Sequence, residues 1–179
     1  AYINGLKILD KEKIDITKVS SVASFFISRI DTEVDKIIDN ESKGKIAILN
    51  ALKAYQDYNE IFFNKDFQSI EKIGGKKQRL LWASTSVKNT EYNSLMYVKN
   101  LISSETINTV PEDVYYEITS NEIDYQSFQN KQIEDILSLS SINEKNLKGI
   151  TDNLLSNGIK LFEDAFESLL GEIRKKNSN

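Results

Sequence analysis

The chain has no cysteine and no histidine in 179 residues. These two absences exclude a Ser-His-Asp triad, a Cys-His nucleophile, a Cys/His zinc site and a disulfide framework. Arginine is nearly absent too: Arg29, Arg79 and Arg174 stand against twenty lysines. Each arginine therefore invites a specific reason, because lysine serves almost everywhere else. Proline occurs once, at Pro111, and glycine seven times. So few breakers point to helices with compact connections. No run approaches the ~18–20 apolar residues of a membrane span. The opening residues, Ala1 to Lys7, lack the basic head and apolar core of a signal peptide, which makes the cytoplasm the default expectation.

What is present fits one soluble globular domain. Charged residues make up 28% and hydrophobic ones 40%, with a net charge of -4. An acidic balance argues against wrapping nucleic acid, which needs net phosphate neutralisation. The one basic cluster, Lys76, Lys77 and Arg79, reads as a solvated strand entry. The last residues, 175–179, read as a frayed tail.

Apolar spacing predicts a helix over 2–9, carried by Tyr2, Ile3, Leu6 and Leu9. Residues 22–28 form a short apolar run, the pattern of a strand buried on both faces in a parallel sheet. Asp31 or Thr32 could cap the next helix, with Val34, Ile37 and Ile38 on one helical face. The clearest helix covers 45–63, with Ile46, Leu49, Leu52, Ile61 and Phe62 in its stripe and Tyr55 and Tyr58 extending it as core. A shorter helix over 65–73 ends at Gly74-Gly75. A second strand covers 79–84, a helix 92–102, and a third strand 106–110. Pro111 then suits the first turn of a helix opened by Glu112 and Asp113. From 112 onward the pattern is helical, closing on Leu154, Leu155, Ile159, Phe162, Phe166, Leu169 and Leu170.

Strands alternating with helices predict an α/β fold with parallel strands. Three apolar strands leave bare outer edges. The expectation is either a small helix-rich domain over 1–179 or part of a larger one. In parallel α/β folds, chemistry gathers beyond the carboxyl ends of strands. The first two strands end in Ser28-Arg29 and in Ser84-Thr85-Ser86-Val87-Lys88. Hydroxyls, helix-start amides and a guanidinium are what a phosphate needs. The plainer alternative has the three hydroxyls capping the next helix and Arg29 paired with Asp31 or another carboxylate.

At these residues the sequence resembles transaldolase, in the longer bacterial-type branch. Residues 19–31, Val-Ser-Ser-Val-Ala-Ser-Phe-Phe-Ile-Ser-Arg-Ile-Asp, are similar to the family's sixth barrel strand. Residues 78–89, Gln-Arg-Leu-Leu-Trp-Ala-Ser-Thr-Ser-Val-Lys-Asn, are similar to its seventh, and 106–111, Thr-Ile-Asn-Thr-Val-Pro, to its eighth. The stretch 44–51 and the closing helix through Phe166 also match, and 118–142 match least.

The resemblance implies the C-terminal part of a (β/α)₈ TIM barrel, from the fifth helix to the end. It implies Schiff-base chemistry: a lysine amine attacks the keto carbon of a ketose phosphate. Carbon–carbon cleavage leaves a dihydroxyacetone unit on the lysine, which passes to an aldose phosphate. No cofactor and no metal is implied, and the partners are sugar phosphates, not nucleic acid or membrane. Arg29 matches the phosphate-binding arginine and Ser24 a serine facing the substrate from the same strand. Ser84 matches the seventh-strand serine at the phosphate, and Lys88 is the nearest base for the basic position after it.

The family's Schiff-base lysine lies on the fourth strand, and its other acting residues lie on the first, third and fifth. These would precede the helix in which this chain opens, so no catalytic residue is expected here. A missing N-terminal half of the barrel then becomes the expected partner. Lys36, Lys45 and Lys53 fall on polar helix faces and offer no nucleophile. A non-catalytic helical interaction domain of barrel ancestry is the alternative from a different class. A lone 20 kDa monomer without phosphate affinity would favour it.

Overall fold

The structure is a computed structural model that describes residues 1–120 and 144–177. The chain divides into two compact units, residues 1–140 and 141–179. In the first, helix α1 (Tyr2–Lys11) leads through a 3-10 turn (Ile16–Lys18) into strand β1 (Val22–Phe26). Then come α2 (Ser28–Val34), α3 (Ile46–Phe62), α4 (Lys65–Glu71) and β2 (Arg79–Ala83). The described part of this unit closes with α5 (Met96–Leu101), β3 (Thr106–Asn108) and α6 (Glu112–Ser120). The second unit carries α7 (Glu144–Asn177).

The three strands form one parallel sheet in sequence order, β1-β2-β3. This is the expected α/β arrangement. The register sets Ser24 beside Leu81 and Phe25 beside Trp82. One face of the sheet meets the helices. There Trp82 is 1% exposed, its indole N–H donates to the Leu101 carbonyl at 2.9 Å, and Phe25 meets its ring edge-on. The other face is open at β1, where Val22, Ser24 and Phe26 are all exposed. The expectation of a strand buried on both faces therefore fails for β1. An apolar run specifies a strand that can be buried, but burial needs a second layer, and no helix among the described residues covers this face.

α3 supplies the centre of the core, with Ile46, Leu49, Leu52, Tyr58 and Phe62 buried. Ile61 departs from the expected stripe and is exposed. α4 opens on Asn64, whose side chain accepts from the Phe67 amide. The chain leaves α4 through Gly74 at φ +91, where a Cβ would stand 2.5 Å from Thr17 Cγ2.

Three helix boundaries differ from the sequence reading. α2 begins at Ser28, with neither Asp31 nor Thr32 as its cap. The strand runs straight into the helix, and the β2 end takes the first two amides at the junction. Ile27 N–H donates to Ala83 O and Ser28 N–H to Ser84 O. α2 also stops at Val34, leaving Ile37 exposed. α5 starts four residues later than expected, at Met96. Asn93 accepts from the Leu95 amide, a local bond that competes with helix. The third strand is confined to Thr106–Asn108, though Thr109 N–H still bonds the Trp82 carbonyl. α6 follows Pro111 as expected, with Tyr115 N–H bonded to Pro111 O. Along α7, Leu155, Ile159, Phe162, Phe166 and Leu169 are exposed. Residues 121–143 of the expected helical stretch lie outside the described residues. No helix among those described is long and apolar enough to cross a membrane.

Candidate functional site

The carboxyl ends of β1 and β2 are joined by two bonds between Ser28 and Ser84. Ser28 N–H donates to Ser84 O at 3.0 Å, and the two hydroxyls meet at 3.1 Å. Ser28 is fully buried, and Ser84 is half-buried with φ +55, an uncommon conformation for a residue other than glycine. Thr85 is buried as well, and its hydroxyl donates to Thr109 O at 2.5 Å. The ends of all three strands are thus tied by hydroxyl groups. The alternative reading of this cluster as a helix cap does not hold. α5 begins far downstream, after Leu95, with no side-chain cap.

Arg29 comes directly after Ser28. Its side chain is exposed, and its guanidinium lies 4.8 Å above the Phe26 ring. Among the described residues it forms no ion pair, so its expected alternative pairing with Asp31 is not made. The charge rests on an aromatic face and leaves the guanidinium edge open to an anion. Ser24 sits two residues before Phe26 on the same open face of β1. Lys88 is exposed, with its ammonium donating to Ser86 Oγ at 2.9 Å and no ion pair among the described residues. Of the four expected residues, Ser84 bonds Ser28, the chain neighbour of Arg29, while the Arg29 guanidinium itself rests on Phe26. Ser24 lies along the strand on the open face, and Lys88 stands beyond Ser86.

Beside Ser28 lies a cavity of about 230 Å³, with Asp31, Asp35, Lys88, Tyr92 and Tyr97 on its wall. Asp31 is 2% exposed and accepts from the Ala47 amide and from the Tyr97 hydroxyl, both at 2.8 Å. It therefore caps α3 from a neighbouring helix. Burial pushes its carboxyl up to about 6; the bonds from Ala47 and Tyr97 oppose that rise. One turn on, Asp35 accepts from Tyr92 hydroxyl at 2.8 Å and from the Gly44 amide at 3.0 Å. Burial and the Asp35 bond push Tyr92 up to about 12, and burial beside Asp31 raises Tyr97 further. Gly44 has φ +72, and a Cβ there would stand 3.1 Å from the Tyr92 ring. The two carboxylates are engaged on the helix side and fix the orientation of α2, and with it the helix position from which Arg29 extends.

Sequence reasoning does not single out Ser28, Asp31, Asp35, Tyr92 and Tyr97 as members of this network. The available signals are two aspartates four apart, one on a short helix and one just past its end, and two tyrosines five apart. Neither specifies a partner without the fold. None of the lysines considered as nucleophiles is buried: Lys36 pairs with Glu33 at 2.7 Å, Lys53 with Asp57 at 2.5 Å, and Lys45 is exposed. No group of three or more metal-ligating side chains is found among the described residues.

Comparison with known proteins decides the family. Residues 6–173 match the Transaldolase/Fructose-6-phosphate aldolase family. This chain belongs to that family. A transaldolase of Saccharopolyspora erythraea is 34% identical over 187 residues, covering 98% of this chain and 50% of the relative. A transaldolase of Trichodesmium erythraeum is 36% identical over 196 residues, covering 98% and 51%. The protein named Transaldolase 2 of Streptomyces avermitilis is 42% identical over a shorter stretch of 119 residues, covering 63% and 32%. The chain thus spans about half the length of the curated relatives it matches.

Proposed function

We propose that this chain supplies the phosphate-binding half of a transaldolase, an enzyme that moves a dihydroxyacetone unit from a ketose phosphate to an aldose phosphate. The three parallel strands would be the last three of a (β/α)₈ barrel. The other five would come from the half of the family sequence that this chain does not span. The Schiff-base lysine would lie in that half, so the chain by itself would be inactive.

The observation that carries this reading is the cation at the end of β1: Arg29 directly follows Ser28, whose hydroxyl meets that of Ser84, and its guanidinium rests on Phe26 with no ion pair among the described residues. A phosphate monoester fits that arrangement. The guanidinium offers two parallel donors to two phosphate oxygens, and its charge persists at every working pH. The Ser84 hydroxyl would donate to a third oxygen, and Lys88 would add a longer-range positive potential. Holding the phosphate at this end fixes the sugar's far carbon, so that its keto carbon can reach an amine on another strand. Ser24, on the open face of β1, would then face the sugar body.

The test joins this chain to the amino-terminal half of the Saccharopolyspora erythraea relative and assays transfer from fructose 6-phosphate to erythrose 4-phosphate. Activity is expected in the joined protein and not in this chain alone. If the joined protein traps a Schiff base on borohydride reduction yet Arg29→Ala leaves KM unchanged, the phosphate-site assignment is wrong.

A further inference from the structure

A second cavity, of about 660 Å³, lies at the opposite end of the strands, where β1 and β2 begin. β2 spans five residues from Arg79 to Ala83, so roughly 13–16 Å of strand separate it from the Ser28–Ser84 end. Its wall carries Lys76, Lys77, Arg79, Glu71, Glu105 and the hydroxyls of Ser20 and Ser21. In the sequence the three cations read as a solvated strand entry; the structure sorts them. Lys77 pairs with Glu71 at 2.7 Å and rests 4.7 Å above the Phe63 ring, so its charge is matched. Lys76 and Arg79 form no ion pair among the described residues. Against the single carboxylate of Glu105 they leave the cavity with one net positive charge. The hydroxyls are already oriented as acceptors: Lys76 Nζ donates to Ser20 Oγ at 3.3 Å, and Gln78 Nε2 to Ser21 Oγ at 2.8 Å. Both hydroxyl protons remain available to a ligand.

We propose that this cavity binds a small phosphorylated metabolite, with its phosphoryl group on Lys76 and Arg79 and its hydroxylated body against Ser20, Ser21 and Glu105. The volume is that of a small-molecule pocket and exceeds what a bare phosphate fills. The site stands apart from the Arg29 end and does not depend on the transaldolase reading. It gives the amino-terminal side of the sheet a ligand of the same charge class as the one proposed for the carboxyl side.

The test is calorimetric titration of the whole chain carrying Arg29→Ala, which silences the other end. The probes are glucose 6-phosphate, adenosine 5′-monophosphate, inorganic phosphate, and unphosphorylated glucose and adenosine. At least one of the two phosphate esters is expected to bind, more tightly than inorganic phosphate and than its unphosphorylated counterpart. Preference between the two esters decides whether the body recognised is a sugar or a nucleoside. Adding Lys76→Ala and Arg79→Ala should weaken binding at least tenfold. Lys76 and Arg79 are exposed, so their truncation leaves the core intact, and circular dichroism checks this. The proposal is overturned if neither ester binds, if inorganic phosphate binds as well as both, or if truncation at 76 and 79 changes nothing.

Discussion

Arg29 has the face of Phe26 beneath its guanidinium and no carboxylate in reach of an ion pair among the described residues. A charge-assisted bond from a guanidinium to an anion is worth about 1.5–3 kcal/mol. In the joined enzyme, Arg29→Ala should raise KM for a phosphorylated substrate by roughly one to two powers of ten, with little change for an unphosphorylated analogue. Arg29→Lys should recover part of that loss, because it keeps the charge and loses the fork. Lys88→Ala should do less, as a longer-range contribution that added salt screens. Steady-state kinetics with both substrate types check all three. Asp31 makes a different prediction. Its carboxyl is raised to about 6 in the folded chain and returns to the usual carboxylate range on unfolding. The folded state therefore holds the proton more tightly. The stabilisation from that proton is complete below about pH 4 and is lost as pH rises through about 6. Between those limits it amounts to at most about 3 kcal/mol. Urea unfolding at pH 4 to 7 should show the advantage of the native chain over Asp31→Asn shrinking as pH rises. A difference that stays flat would refute the assignment.

At the scale of elements, β1 carries the largest consequence. Its backbone edge away from β2 is unpaired within this sheet, and Val22 and Phe26 are 40% and 46% exposed on its open face. An apolar strand edge is a template for a second chain. The isolated chain should therefore self-associate in a concentration-dependent way by analytical ultracentrifugation, and a charge at Phe26→Lys should reduce it. A sharp monomer at every concentration would refute this. The strands were legible in the sequence because short apolar runs bounded by polar residues mark both their place and their parallel order. α3 was legible from its apolar stripe and α4 from the Gly74-Gly75 pair that ends it. Less legible were the starts of α2 and α5. Their first amides are satisfied by the end of β2 and by Asn93, not by a cap in the usual position. Of the candidate site, the residue types at the strand ends were readable. The aspartate–tyrosine network beneath them was not, because Asp31 and Tyr97 are 66 residues apart in the chain.

For the whole molecule, the governing fact is that 98% of this chain aligns with only half of each longer relative. The lysines considered as nucleophiles are exposed or ion-paired at the surface, and none sits in a buried apolar pocket. Borohydride reduction of the isolated chain with fructose 6-phosphate should trap no adduct. Mass spectrometry showing one reduced three-carbon unit on any of its lysines would refute this. The same treatment of the joined protein should add that unit to a lysine of the relative's half.

Trp82 is the one tryptophan of the chain, and it lies on the helix-facing side of the sheet, hydrogen-bonded to Leu101 and edge-on to Phe25. It is therefore a built-in optical reporter of the sheet–helix layer and is blind to the opposite face. Its emission should be that of a dry indole in the isolated chain and should move to longer wavelength when urea exposes it. If a complementary half docks on a preformed sheet, the emission maximum stays where it was. If this chain orders only on association, the spectrum shifts to the blue on mixing. One fluorescence titration thus separates assembly of two folded halves from folding coupled to assembly.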